Sequence, residues 1–234
     1  MDSKKVYKWL QTSLGWLLPT TCRLCGGDGE QGRELCRGCH ADLPWIVSAC
    51  RCCGEPLPAG PAELLCGRCL RRPPPFEQVL APLHFEPPID RLIHAFKFRG
   101  DLAAGRLLAS LLADAAAERR PELLLPVPLH DRRLRHRGFN QSLEMARQLS
   151  RTHRIPLAAN LLRRSRDTPA QHALPARVRR ANIRGAFELR GTLPADHIAL
   201  IDDVLTTGHT AAEIARTLKR AGATRVEVWV VARA

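Results

Sequence analysis

The chain has few aromatic residues and no long apolar run. Aromatic side chains make up 5% of its 234 residues, with a single Tyr. This scarcity argues against a nucleic-acid-binding surface built from stacked aromatic rings. No apolar stretch approaches the roughly 20 residues that a membrane-spanning helix needs. The sequence therefore disfavours an integral membrane protein and an aromatic platform for bases.

The start of the chain also lacks the features of a secretory signal. Residues 6–18 are apolar, but the stretch is short, contains Lys8 and has no small-residue cleavage site. Its apolar residues recur at helical spacing and predict an amphipathic helix. The polar face has few lysines, which favours packing on the protein itself or on a second copy over binding to a membrane surface. We therefore expect a cytoplasmic protein, and a homodimer is one assembly that this helix allows.

Cysteine is absent outside residues 22–69, and all nine Cys residues lie within this segment. Clustered cysteines in a cytoplasmic protein more often bind metal than each other. Eight of them form four Cys-x-x-Cys pairs, and two such pairs complete a tetrahedral site, the usual structural coordination of Zn²⁺. The predicted ligands are Cys22, Cys25, Cys36, Cys39, Cys50, Cys53, Cys66 and Cys69. The sequence thus predicts two structural zinc ions.

The pairing of these cysteines has two solutions. Sequential pairing joins the first two pairs and the last two pairs and needs the shortest loops. A cross-braced arrangement would alternate the pairs. Cys52 is left over, because Cys50 and Cys53 keep the two-residue gap, and we interpret it as a bystander.

A proline-rich stretch separates two parts of the chain. Residues 71–75, RRPPP, are stiff, extended and polar at their start, which is typical of a domain boundary. We therefore predict an N-terminal helix and double zinc-binding module in residues 1–75, and an α/β domain in residues 76–234.

Acidic residues are few compared with basic ones. The chain has 23 Asp and Glu against 36 Lys and Arg, a formal net charge of +13. Such a charge attracts polyanions, either nucleic acid or a substrate with several phosphates.

Two segments contain much of this basic charge. Residues 130–141 predict a basic loop after a buried strand at 123–127, placed to bind phosphates or nucleic acid. Residues 163–187 predict an arginine-rich mobile loop that closes over an anionic ligand, or else a solvated connection.

The central motif is the segment 201–210, IDDVLTTGHT. The apolar run His197–Ile201 predicts a buried parallel strand with two aspartates at its C-terminal end. The helical spacing of apolar residues in 211–218 predicts a helix after the loop, and residues 225–233 predict another strand. A strand, an acidic pair, a threonine-rich loop and a helix in this order predict an α/β unit whose loop lies at the mouth of a parallel sheet.

This loop has the chemistry of a phosphate site. Free backbone N–H groups at a helix N-terminus attract an anion, Gly permits close approach, and hydroxyls donate hydrogen bonds. Carboxylates would repel the phosphate and suit sugar hydroxyls or a hydrated Mg²⁺. We assign the phosphate to Thr206, Thr207, Gly208, His209 and Thr210, and the sugar and Mg²⁺ to Asp202 and Asp203. The groups together describe a ribose 5-phosphate site, and the alternative is an ordinary helix cap.

The motif resembles the phosphoribosyl pyrophosphate (PRPP) binding motif of type I phosphoribosyltransferases, and the chain as a whole resembles the ComF/GntX family. The resembling stretches are the Cys pairs and residues 92–100, 126–129, 135–141, 166–171 and 202–210. The resemblance implies a type I phosphoribosyltransferase-like parallel sheet flanked by helices, with a small N-terminal double zinc-ribbon module. It also implies a link to natural transformation, in which imported single-stranded DNA is handled with DNA-uptake proteins.

Two functions stay open at this point. In the first, the protein is a phosphoribosyltransferase with an unidentified acceptor, and its catalytic residues are Asp202, Asp203, Lys97 and Arg137. Lys97, Arg137 and the further candidate Arg135 would neutralise the departing pyrophosphate. In the second, the same pocket senses PRPP or a nucleotide without chemistry, while the zinc module and the arginines bind single-stranded DNA or a partner.

Overall fold

The computed structural model describes residues 20–58, 64–166 and 183–234. The predicted N-terminal helix and most of the arginine-rich loop lie outside these residues, so both stay predictions. The chain divides into two compact units, Met1–Leu43 and Pro44–Ala234. The boundary predicted after residue 75 also stays a prediction. In the described residues, no helix is long and apolar enough to cross a membrane.

Within its described part, from residue 20 onward, the first unit forms the short helix α1 (Arg37–Ala41). The Sγ atom of Cys36 caps this helix by accepting a hydrogen bond from the N–H of Cys39 at 3.4 Å. A tight turn precedes it, in which the N–H of Gly26 donates to the carbonyl of Cys22 at 2.9 Å. These turns bring the members of each Cys-x-x-Cys pair to the same side of the chain.

The second unit is built on a parallel sheet. The strands in the described part of this unit are β1 (Gln78–Leu80), β2 (Leu83–His84), β3 (Leu123–Pro126), β4 (Leu162–Arg164), β5 (Phe187–Leu189), β6 (His197–Leu205) and β7 (Arg225–Arg233). The sheet has the order β1-β7-β6-β3, all parallel, with β2 also paired to β7. Strands β4 and β5 form a separate antiparallel pair. The predicted α/β class with a parallel sheet is confirmed.

Helices cover this sheet. They are α2 (Gly67–Arg71), α3 (Ile89–Arg99), α4 (Leu102–Ala115), α5 (Asp131–Arg137), α6 (Gln141–His153) and α7 (His209–Arg220). The apolar residues of α7 are buried in one cluster with Val226, Val228 and Val230 of β7. Trp229 and Val231, which alternate with these valines, are fully buried as well. Both faces of β7 are therefore covered, as a near-continuous apolar strand requires.

Strand β6 is longer than its apolar run predicts. It continues through both aspartates to Leu205, because β7 keeps pairing with it as far as Leu205 and Arg233. The acidic pair therefore lies on the last part of the strand, and the loop begins only at Thr206. In the same way, α3 extends through Lys97 and Arg99 and ends at Gly100, whose φ is 67°.

The basic loop predicted for residues 130–141 is wrong in its first half, which forms helix α5. His130 caps it, since its Nδ1 accepts from the N–H of Arg132 at 3.3 Å. Basic side chains in the last turn complement the helix dipole, and Gly138 ends the helix with a left-handed φ of 82°. Asn140 then caps α6, since its Oδ1 accepts a hydrogen bond from the N–H of Ser142 at 3.1 Å. The caps at His130, Gly138 and Asn140 thus define two helices, α5 and α6, where the charge pattern predicted a loop.

Candidate functional site

Two groups of four sulfur atoms lie in the Cys-rich segment. The first comprises Cys22, Cys25, Cys36 and Cys39, and the second Cys50, Cys53, Cys66 and Cys69, with all ligand atoms within 4.8 Å of one another in each group. Sulfurs that share a tetrahedral Zn²⁺ at about 2.3 Å stand about 3.8 Å apart. The Sγ atoms of Cys25 and Cys36 are 3.7 Å apart, and those of Cys53 and Cys66 are 3.6 Å apart. The donor sets fit two structural zinc sites in sequential pairing, so the cross-braced alternative is wrong.

Backbone hydrogen bonds prepare one thiol of each group for metal. Burial opposes ionisation of Cys22, but backbone N–H donors, that of Cys36 foremost, outweigh it and lower the pKa to about 6. The balance is the same at Cys50, where the N–H of Cys66 donates at 3.3 Å and the pKa falls to about 7. The thiolate is the form that binds zinc, so Cys22 and Cys50 are each favoured as the first thiolate of their group. The pKa of Cys39 is raised by its hydrogen bond with Cys36, and that of Cys69 by burial, so these thiols ionise only when the metal binds.

Cys52 belongs to neither group. Its Sγ points to the backbone oxygen of Phe76 at 3.9 Å, and burial raises the pKa of its thiol. Arg68 does approach the second group, because its Nη2 lies 3.7 Å from the Sγ of Cys53. This contact is not predictable from the sequence, in which Arg68 is one of many basic residues.

The predicted acidic pair meets two other elements at the end of β6. The Nζ of Lys97, from α3, lies 2.8 Å from Oδ1 of Asp203. The hydroxyl of Ser142, from α6, donates to Oδ1 of Asp202 at 2.9 Å. The N–H of Asp203 donates to the same oxygen at 3.0 Å. Two helices thus fix the two carboxylates in different directions.

This arrangement strongly perturbs Asp202. Burial and the neighbouring charge of Asp203 raise the pKa of its carboxyl to about 7, and neither Lys97 nor the hydrogen bond from Ser142 compensates. A cation at this position would relieve the repulsion between the two acids. Carboxylate oxygens are the ligands that Mg²⁺ prefers, so the pair fits the predicted Mg²⁺ chemically.

Arg137 lies close to the same acids. Its Nη1 donates to Oε1 of Gln141 at 2.8 Å, and its guanidinium lies over the ring of Phe98 at 5.3 Å. Burial lowers the pKa of Arg137, while the charges of Asp203 and Asp202 act in the opposite direction. Arg135 is exposed on α5, and its side chain is not among the contacts of the acidic pair in the described chain. Lys97 and Arg137 therefore lie near the two aspartates and Arg135 does not, while the roles assigned to these residues stay predictions.

Gln141 and Ser142 are residues that sequence reasoning missed. Gln141 is 2% exposed, and its Nε2 finds no hydrogen-bond partner within the described residues. Gln141 lies in the stretch 135–141, which resembles the ComF/GntX family. Neither Gln141 nor Ser142 is charged, so neither was selected as a candidate site residue. Their contribution depends on the contact of α6 with β6, which the sequence does not reveal.

The predicted phosphate loop lies between β6 and α7. Gly208 is the N-cap of α7 with a left-handed φ of 73°, and no side chain among the described residues caps that helix start. The first N–H groups of a helix favour an anion at such a start. A cleft of about 280 Å³ opens beside residues 206–209, and Arg68, Arg72 and Arg216 also line it. The loop has the geometry of an anion site, and the roles assigned to its residues remain predictions.

Comparisons with known proteins agree with this architecture. Residues 13–70 match the double zinc ribbon domain. The chain is 38% identical over 224 residues to the DNA utilization protein YhgH of Shigella flexneri, covering 92% of this chain and 98% of that protein. It is 35% identical over 224 residues to the competence protein F of Haemophilus influenzae, covering 91% and 96%. The chain belongs to the competence protein F family. This confirms the ComF/GntX resemblance.

Solved structures resemble this member of the competence protein F family only distantly. The purine phosphoribosyltransferase of Pyrococcus horikoshii is 17% identical, covers 56% of this chain and 82% of its own, and superposes with a TM-score of 0.36. The UMP synthase of Leishmania donovani is 21% identical over 60% of this chain, with a TM-score of 0.34. The matched part is 22% of that longer protein. Similarity at this level does not identify what the present chain binds.

Proposed function

We propose that this protein binds PRPP with Mg²⁺ at the end of β6 and acts in the use of imported single-stranded DNA. One observation carries the proposal. A carboxylate pair, Asp202 and Asp203, ends five residues before Gly208, the N-cap of α7, which supplies no side-chain cap, and a lysine lies 2.8 Å from Asp203. The acidic pair suits the ribose of PRPP, the helix start suits its 5′-phosphate, and the lysine suits its pyrophosphate.

Each group has a chemical task in this proposal. The N–H groups and hydroxyls of Thr206, Thr207 and Thr210 hold the 5′-phosphate, together with the backbone of Gly208 and His209. Asp202 and Asp203 hold the ribose hydroxyls and Mg²⁺. Lys97 and Arg137 take up the negative charge that develops on pyrophosphate when its bond to the anomeric carbon breaks and a nucleophile replaces it.

The DNA part of the proposal rests on the family. Relatives are named for DNA utilization and for competence. The formal net charge of +13 suits a polyanionic partner, and the scarcity of aromatic residues favours contacts to the phosphate backbone over stacking of bases. We infer that the protein works in the cytoplasm with the incoming single strand and with DNA-uptake proteins.

The binding proposal is tested by calorimetry with PRPP and Mg²⁺. We expect Asp202→Asn/Asp203→Asn to weaken Mg²⁺-dependent PRPP binding at least about tenfold, because the variant loses both the Mg²⁺ ligands and the sugar contacts. Asp196→Asn is the matched control, since Asp196 is exposed and immediately precedes β6 at its opposite end. Equal affinity of the double variant and the wild type for PRPP would exclude this site.

A second candidate function is a sensor or adaptor without chemistry. The names of the relatives favour it, because they refer to DNA utilization and competence and not to group transfer. Release of pyrophosphate from PRPP, screened against nucleobases and amines, separates the two. Release that depends on an acceptor supports the enzyme. Tight PRPP binding without release supports the sensor.

A further inference from the structure

Arg233 connects the second cysteine group to the strand that carries the phosphate loop. Its Nε donates to the backbone oxygen of Cys53 at 3.3 Å, and its Nη1 donates to that of Leu205 at 3.1 Å. Its Nη2 pairs with the carboxylate of Glu55. Arg233 is only 5% exposed. One buried cation therefore contacts both a zinc ligand residue and the last residue of β6.

The hydrogen bond of Arg233 to Leu205 constrains the peptide unit that joins β6 to the predicted phosphate loop. The carbonyl of Leu205 and the N–H of Thr206 belong to the same planar peptide unit, so fixing the oxygen also orients that N–H. The N–H of Ala234 donates to the same carbonyl at 3.0 Å, which holds it from a second side. The first peptide of the phosphate loop is thus oriented from β7, and Arg233 supplies the one charged donor.

The other end of the link depends on the zinc-binding turn. The N–H of Gly54 donates to the carbonyl of Cys50 at 2.8 Å, and the N–H of Val79 in β1 donates to that of Arg51 at 3.3 Å. A Cβ at Gly54 would lie 2.7 Å from Val79, so this turn packs against the sheet without space for a side chain. Four bonds from sulfur to zinc would keep Cys53 and Glu55 where Arg233 needs them. Without the zinc–sulfur bonds, the hydrogen bonds of Arg233 to Cys53 and Glu55 would weaken. A buried charge with weakened partners destabilises the folded protein.

We propose that Arg233 is a positioning residue through which the second zinc site holds the phosphate loop in its binding conformation. Arg233 acts through Leu205 and takes no part in chemistry. The first cysteine group has no part in this link, because the hydrogen bonds of the Arg233 side chain go to Cys53, Leu205, Glu55 and Ala234. The consequence for PRPP affinity rests on the proposed function, whereas the ordering of the loop does not.

The test measures the backbone ¹⁵N order parameters of residues 205–210 in the full-length, ligand-free protein. We expect them to fall from about 0.85, which is typical of a rigid backbone, to below about 0.6 in Arg233→Met and in Cys53→Ser. Order parameters in β3 should stay high. Cys25→Ser is the matched control, since it also removes a zinc ligand, but from the first group. Its order parameters in residues 205–210 should equal those of the wild type.

Further variants keep the test decisive when a buried change disturbs the fold. If Arg233→Met lowers the order parameters throughout the sheet, Glu55→Gln decides, because Glu55 is half exposed and its loss weakens only one partner of Arg233. Lower order parameters confined to residues 205–210 in Glu55→Gln support the link. Unchanged order parameters there in Glu55→Gln, or in Cys53→Ser with its zinc lost, overturn it. PRPP titration of the same variants is a separate arm, and wild-type protein that binds no PRPP would refute the proposed function alone.

Discussion

A buried and a half-buried carboxyl group in the same sheet, Glu227 and Asp202, have pKa values shifted in opposite directions. Glu227 is 1% exposed, yet hydrogen bonds from Trp229 and His197 and the charges of Arg119 and Arg225 outweigh its burial and lower its pKa. At Asp202 burial and a neighbouring acid raise the pKa to about 7. The partners of Glu227 therefore stabilise its ionised form more than burial destabilises it. The partners of Asp202 do not stabilise its ionised form enough to offset burial and the charge of Asp203, and carboxyl groups of this kind are concentrated at functional sites.

Asp202→Asn should stabilise the protein in a pH-dependent way. The folded pKa of about 7 lies above the unfolded value near 3.8, so ionisation of Asp202 favours the unfolded chain. The penalty builds up as pH rises from about 4 to 7 and is constant above that. We expect a gain on the order of 4 kcal/mol at pH 8, without added Mg²⁺, and less than half of that gain at pH 5.

Denaturant unfolding of wild type and variant at both pH values measures this difference. Comparing the two proteins at the same pH cancels the common effect of pH on the zinc thiolates. Asp196→Asn again provides the control, because its exposed carboxyl should give no comparable gain. A stability gain that is equal at pH 5 and pH 8 would show that Asp202 is not the strained group.

At the level of elements, periodicity predicted the framework and missed the contacts that make the site. The apolar runs of β3, β6 and β7 and the spacing in α7 follow directly from burial on a parallel sheet. The end of β6 could not be predicted from burial, because pairing with β7 extends the strand through the two polar aspartates. The contact of Ser142 with Asp202 could not be predicted either, because it links residues 60 apart in the chain. Sequence patterns record local preference, whereas these features depend on which elements become neighbours.

The start of α7 gives a prediction at the same scale. Gly208 has a φ of 73°, and a Cβ there would meet nothing closer than 3.9 Å, so Gly208→Ala costs backbone strain without a clash. We expect a stability loss of about 1 kcal/mol and weaker binding of PRPP, because the loop N–H groups would turn away from the anion. Calorimetry and thermal unfolding measure the two effects.

Gly222 offers the matched control at the other end of α7. It also has a positive φ, 110°, and open space around its missing Cβ. Gly222→Ala should therefore cost a similar amount of stability and leave PRPP affinity unchanged. Equal loss of affinity in both variants would mean that the helix start has no special role in binding.

At the scale of the whole molecule, the second cysteine group belongs to the same compact unit as the sheet, Pro44–Ala234. Each filled site with four thiolates carries a net charge of about −2, so two zinc ions make the protein about four charges less positive than its formal sum. The remaining excess of basic residues still favours anionic partners. Metal content thus affects both the stability of the sheet unit and the electrostatics of the protein.

Metal analysis tests this arrangement directly. We expect about two zinc ions per chain in the wild type and about one in Cys69→Ser, because a site left with three thiolates binds zinc far more weakly. The unit that contains the sheet should then melt at a lower temperature, since the turn against Val79 loses its metal. Cys52→Ser is the control on the same segment, because Cys52 belongs to neither sulfur group and should leave two zinc ions bound. A wild-type content of one zinc, or loss of zinc from Cys52→Ser, would require a different set of ligands.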